Sequence, residues 1–189
     1  MSNDEQELIL DLLVAYESAA KRKRNTTSCL RFNMCIEDEI VMLAQSISEG
    51  SYKVSPCICF IATEPVKREI IAADFRDRVV HHYICSFLEP FLEKQLIYDC
   101  YSCREGKGTL FGVNRLEHHI RSCSRNYTLP CYVLQLDIAG YFMHINRELL
   151  YKKAMLLMDK IAVQKNENGV RMAQTGRYKW IKDLLRVII

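Results

Sequence analysis

Several things are missing from this 189-residue sequence, and each absence narrows what it can be. No run approaches the roughly 18 uninterrupted apolar residues that a membrane-spanning helix needs. The opening MSNDEQE is acidic and lacks the basic-then-apolar order of a secretory signal. There is no internal repeat and no low-complexity tract. The nine cysteines are odd in number and follow no framework spacing, which fits reduced thiols in a cytoplasm better than a disulfide scaffold. A strong charge of one sign is also lacking, for the net charge is +3.

What is present is an ordinary globular composition, 49% hydrophobic and 26% charged, on a chain long enough to bury a core. The charge is unevenly placed. From Lys152 onward nine basic residues face Asp159, Glu167 and Asp183, and between Lys94 and Arg125 six face Asp99, Glu105 and Glu117. Such local excess is what a polyanion-binding surface would show, and an ordinary solvated face shows it equally.

Periodicity sets the element order. Leu8, Leu12, Tyr16 and Ala19 form one stripe of a first helix, with Asp4 and Glu7 as a capping pair and 21–24 as its basic end. Residues 25–28 read as a polar linker. A second helix buries Ile36, Ile40, Leu43 and Ile47 and stops at Gly50. Strands over 57–61 and 68–71 flank a turn containing Glu64 and Pro65. Asp74 begins a helix carrying Val79, Tyr83 and Phe87, which Pro90 ends or kinks. After a loop over 101–109, Thr109 is placed to cap a helix burying Val113, Leu116 and Ile120. Residues 131–136 have the pattern of a buried strand ending in the carboxylate of Asp137. Asn146 caps a further helix to about Lys160, residues 166–169 turn, and a last helix starts near Thr175.

Three places could carry chemistry. Asp137, at the end of that strand and before Gly140, Tyr141 and Phe142, is placed as a rigid carboxylate for a hard cation such as Mg²⁺, although an Asp ending a strand is more often a cap. Arg104-Glu105-Gly106-Lys107-Gly108-Thr109 offers glycines beside cations before a helix, a phosphate cradle or equally a surface turn. It is not a P-loop, because Gly108 separates Lys107 from Thr109. Lys67 and Arg68 form a cation pair able to reach a triphosphate, against the default of exposed edge-strand charges. Cys100 and Cys103 with His118, His119 or Cys123 lack the second ligand pair of a structural zinc site.

In this order the pieces resemble the reverse transcriptases of bacteria and phages, over roughly 52–151. Lys67-Arg68-Glu69-Ile70 with Asp74-Phe75-Arg76-Asp77-Arg78-Val79-Val80-His81-His82 looks like the first fingers motif. Leu88-Glu89-Pro90 and Tyr101-Ser102-Cys103-Arg104-Glu105-Gly106-Lys107-Gly108-Thr109 look like the second, and Leu136-Asp137 through Phe142 like the palm motif. The wording is most similar to the enzymes of diversity-generating retroelements, with group II intron maturases and retron enzymes nearby. The resemblance implies an α+β fold, with an N-terminal helical extension over 1–50, fingers over 51–130 and an incomplete palm over 131–189.

It further implies an RNA-directed DNA polymerase using two Mg²⁺ ions, an RNA template, a DNA or RNA primer, deoxynucleoside triphosphates and an accessory protein, in the cytoplasm and without a membrane. Asp137 and the Ile138 carbonyl would be metal ligands. Lys67, Arg68 and Arg104 would contact the nucleotide, Phe142 would gate against the ribose 2′-hydroxyl, and Lys107 and Arg115 would touch the template. The family's Tyr-x-Asp-Asp box occurs nowhere in the sequence. The expectation is therefore an N-terminal fragment, inactive alone, of a longer enzyme. The rival from another class is a non-catalytic nucleic-acid-binding module, in which Asp137 is only a cap.

Overall fold

The computed structural model describes residues 3–64, 67–167 and 169–189. Pro65 of the expected hairpin turn and Asn168 of the turn over 166–169 lie outside them. The described chain is rich in helix, with one two-stranded antiparallel sheet. In that loose sense it is α+β.

The chain divides into two compact units, one formed by Met1–Pro90 with Asn146–Ile189 and the other by Phe91–Ile145. This division runs across the three functional segments that the resemblance implies. In the first unit, helix α1 (Asn3–Ala20) buries Leu8, Leu12, Tyr16 and Ala19, the expected stripe. Asp4 lies within its first turn. Helix α3 (Ile36–Ser48) buries Ile40, Leu43 and Ile47 beside it, and α1 packs on α3. Gly50 follows with φ 70, a left-handed position that glycine takes without a Cβ penalty.

Between them the structure adds α2 (Thr27–Met34), which takes in Thr27 and Ser28 of the expected linker. Its cap Thr26 makes no side-chain cap bond, so local sequence does little to hold this eight-residue helix. Its hold is tertiary. Phe32 stacks on Tyr16 at 5.8 Å and meets Phe75 edge-on at 5.3 Å, and the Tyr16 hydroxyl donates to Asn33 Oδ1 at 2.8 Å.

Strands β1 (Ile58–Ala62) and β2 (Arg68–Ala72) pair with Phe60 opposite Ile70 and Ala62 opposite Arg68. Helix α4 (Phe75–Glu93) starts after Asp74, whose Oδ1 accepts from the Arg76 amide at 2.9 Å. It runs on past Pro90, so the proline does not end it. Helices α6 (Arg147–Ala162) and α7 (Gly176–Ile188) complete the unit, α6 capped by Asn146 as expected and α7 starting where expected, with Thr175 as its cap. Asn146 Oδ1 accepts from the Leu149 amide at 3.0 Å. Arg177 of α7 ties α1 and α4 together, pairing with Asp11 at 3.1 Å and donating to Ser86 at 3.2 Å.

The second unit corrects three expectations. Its helix α5 (Thr109–Cys123) has Gly108 as N-cap, and Thr109 is the first helical residue rather than the cap. Val113 and Leu116 are exposed and Ile120 half-buried, because nothing in this unit covers the stripe. Residues 131–136 form no strand. A strand needs a neighbour to take its N–H and C=O groups, and β1 and β2 pair only with each other. The run stays unpaired with Leu134 and Leu136 each 81% exposed.

Candidate nucleic-acid interface

The residues expected to meet nucleotide and template fall into three groups. Lys67 and Arg68, both exposed, flank the start of β2 in the first unit. Arg104, Lys107 and Arg115 belong to the loop before α5 and to α5 itself. Asp137 and Ile138 lie on the irregular stretch that follows, and Phe142 on the short 3-10 helix Tyr141–His144 after it.

The loop group is held by its own cations. Gly106 and Gly108 take positive φ, as does Cys103 at 55, and bend the chain into the start of α5. Arg104, with only 9% of its side chain exposed, braces the bend. Its Nε donates to both Glu93 oxygens at 2.9 and 3.0 Å, Nη2 bonds Glu93 as well, and Nη1 donates to the Ile97 and Cys100 carbonyls at 2.8 Å each. All three nitrogens thus serve the loop, and a triphosphate contact would compete with them. Lys107 Nζ donates to the Tyr98 carbonyl and lies 4.1 Å above the Tyr98 ring. An ammonium has three donors, so Lys107 retains capacity for a phosphate.

Arg115 makes the strongest pairing, donating from Nε to Asp99 Oδ1 at 2.7 Å and from Nη2 to Oδ2 at 3.0 Å. His119, one turn along α5, approaches the same Oδ2 at 3.1 Å. This bidentate grip, with Tyr101 and His119 adding to it, holds the Asp99 carboxyl well below the usual carboxylate range. Between the loop over 101–109 and α5 lies a cleft of about 810 Å³, walled by Tyr101, Thr109, Val113 and Leu116 among others. Gly112 lets Tyr101 approach α5: a Cβ there would meet the ring at 2.9 Å.

Asp137 stands apart from any such lattice. It is exposed, and its Oδ1 accepts from the Ile138 amide at 2.9 Å. Gly140 is left-handed at φ 60, and His144 Nδ1 sits 2.8 Å from the Gly140 carbonyl oxygen. Tyr141 and Phe142 meet edge-on at 5.2 Å, with Phe142 83% exposed. Among the described residues no three His, Cys, Asp or Glu side chains gather to hold a metal. Two adjacent divalent cations need several carboxylates, so Asp137 with one backbone carbonyl does not fit the pair of Mg²⁺ ions that the resemblance implies.

No family model matches the chain, and none of the curated proteins matches it.

Spacing did not single out the unit's most organised side chains. Asp99 gathers Arg115 and His119 from sixteen and twenty residues away. Only the i,i+4 spacing of Arg115 and His119 hinted that they share a face. In the first unit Asp77 is fully buried, accepting from the Tyr52 hydroxyl at 2.7 Å and from the Ser55 amide at 2.8 Å. Its signal was an acid on the apolar stripe of α4, in line with Val80, Ile84 and Phe87.

Proposed function

We propose that this chain is the fingers and the beginning of the palm of an RNA-directed DNA polymerase, of the type found in diversity-generating retroelements. The observation that carries the reading is the run over 131–136. It is mostly apolar, unpaired and largely exposed, and it leads into a lone carboxylate. Leaving such a run in water is unfavourable: fully burying a leucine is worth about 1.5–3 kcal/mol. A palm strand awaiting its sheet neighbours has these properties, and the Tyr-x-Asp-Asp box that those neighbours would bring is what this sequence lacks. The motif order supports the same reading, with Lys67 and Arg68 on a hairpin, then α4, the glycine-rich bend before α5, and Asp137.

In this reading the substrates are an RNA template, a primer and deoxynucleoside triphosphates, and the setting is cytoplasmic. Lys67 and Arg68 contact the triphosphate, Lys107 the template, and Phe142 excludes the ribose 2′-hydroxyl. Arg104 and Arg115 shape the loop that presents Lys107. Metal-dependent transfer belongs to a longer enzyme that adds carboxylates to Asp137.

Primer extension tests it. The chain alone is expected to be inactive, a form extended through a downstream carboxylate box active with Mg²⁺, and its Asp137→Asn variant inactive at an unchanged melting temperature. Full activity in that variant would overturn the assignment. Binding of the 189-residue chain to an RNA–DNA duplex should also weaken steeply with salt, as released counterions require. A salt-dependent affinity with no activity in any extended form would favour a non-catalytic binding module.

A further inference from the structure

An aspartate on the buried stripe of α4 is an expensive choice. The positions in line with it are Val80, Ile84 and Phe87, and a leucine would continue the stripe without taking a charge out of water. Asp77 is 0% exposed, and what compensates it is specific. Oδ1 accepts from the Tyr52 hydroxyl at 2.7 Å, and Oδ2 from the Ser55 amide at 2.8 Å. Arg76 Nη1 lies 3.6 Å from Oδ1. The same arginine covers the Tyr52 ring at 5.0 Å and donates to the Lys53 carbonyl at 3.3 Å. Burial, with the hydrogen bond to Asp77 behind it, holds the Tyr52 phenol far above its usual range and keeps it a donor.

The two hydrogen-bond partners, Tyr52 and Ser55, belong to 52–55, the segment that leads into β1. The other root of the hairpin is fixed next door, where Asp74 caps α4 just after β2 ends. Between the two roots no described residue of β1 or β2 is buried. With none of its described residues fully buried, the hairpin takes its position largely from its roots.

We propose that Asp77 is a positioning residue for nucleotide binding: through Ser55 and Tyr52 it fixes the root of the β1–β2 hairpin and so aims Lys67 and Arg68. This rests on the polymerase reading above.

The test uses the 189-residue chain with Asp77→Asn, the milder Tyr52→Phe, Arg68→Ala and the Asp77→Asn/Arg68→Ala pair. Nitrogen relaxation reports hairpin motion, and dTTP titration at low salt reports the cations. In Asp77→Asn the hairpin amides are expected to lose order while those of α3 and α4 keep theirs. Affinity for dTTP should fall about tenfold, the scale of one charge-assisted hydrogen bond. Tyr52→Phe should shift both readouts in the same direction by less. The double variant should lose less than the two single losses added together, because part of the effect of Asp77 passes through Arg68 and the rest through Lys67; independent effects would instead add. Hairpin order and dTTP affinity both unchanged in Asp77→Asn and Tyr52→Phe would overturn the positioning role and leave the polymerase reading intact. No dTTP binding by the unaltered chain, with the hairpin loosened in Asp77→Asn, would overturn the nucleotide role and the polymerase reading together, leaving a purely structural anchor.

Discussion

Tyr83 lies wholly inside the first unit, and its hydroxyl has no hydrogen-bond partner among the described residues. Burial holds the phenol far above its usual range, and the Arg177 guanidinium over its ring at 5.7 Å only partly opposes that. A buried hydroxyl without a partner carries its desolvation cost uncompensated. Removing it while keeping the ring should therefore do no harm. Tyr83→Phe is expected to leave stability unchanged or raise it by up to roughly 1 kcal/mol in urea denaturation. A loss of that size would mean that the hydroxyl is bonded after all. Asp77 behaves oppositely, because its oxygens are matched by Tyr52 and Ser55, and deleting the carboxylate strands both donors.

Elements differ in how much of them the sequence displays. The stripes of α1, α3 and α4 were legible because each recurs at helical spacing and finds a core, and the caps at Asn146 and Thr175 announce their helices. Helix α2 was not legible: its eight residues are held by Phe32 against Tyr16 and Phe75, contacts that no local window contains. The run over 131–136 shows the opposite failure, for its strand pattern is clear but a ladder needs a second strand. At the candidate site the lone carboxylate and the cations could be named, but not that Arg104 and Arg115 would turn inward onto Glu93 and Asp99.

Helix α4 also carries a pH effect that its pattern did not reveal. Burial pushes the His81 imidazole below its ordinary value, Asp77 pulls it part of the way back, and His82 adds to the depression. The unfolded chain then binds the proton more readily than the folded one. Stability from neutral His81 is present above the unfolded value of about 6.5 and is lost as pH falls through it towards the folded value. The melting temperature should drop between pH 7 and pH 5 by more in the native chain than in His81→Gln. Parallel curves would show that His81 does not titrate with folding.

At the scale of the whole molecule, stability is divided unevenly. Every buried apolar side chain among the described residues belongs to the first unit, and the second buries only Ser124. Hydrogen bonds and ion pairs hold the loop before α5, but exposed ion pairs contribute little, and a fifteen-residue helix that fully buries no side chain is marginal in water. The first unit is made from two stretches of chain that the second separates, and their union does not depend on that link. Helix α7 packs on α1, α3 and α6, with Ile181, Leu184 and Leu185 buried, and Arg177 ion-paired with Asp11 and hydrogen-bonded to Ser86. Limited proteolysis should therefore cut within 91–145 first, since cleavage follows local opening. The fragments on either side should remain together, elute as one species without denaturant, and melt in one transition close to that of the uncut chain. First cuts in α1 or α7, or separation of the fragments after cleavage in 91–145, would show that the second unit is needed to hold the first together. An RNA–DNA duplex added before the protease should slow cleavage in 91–145 if that unit meets nucleic acid, and the protection should fade as salt is raised.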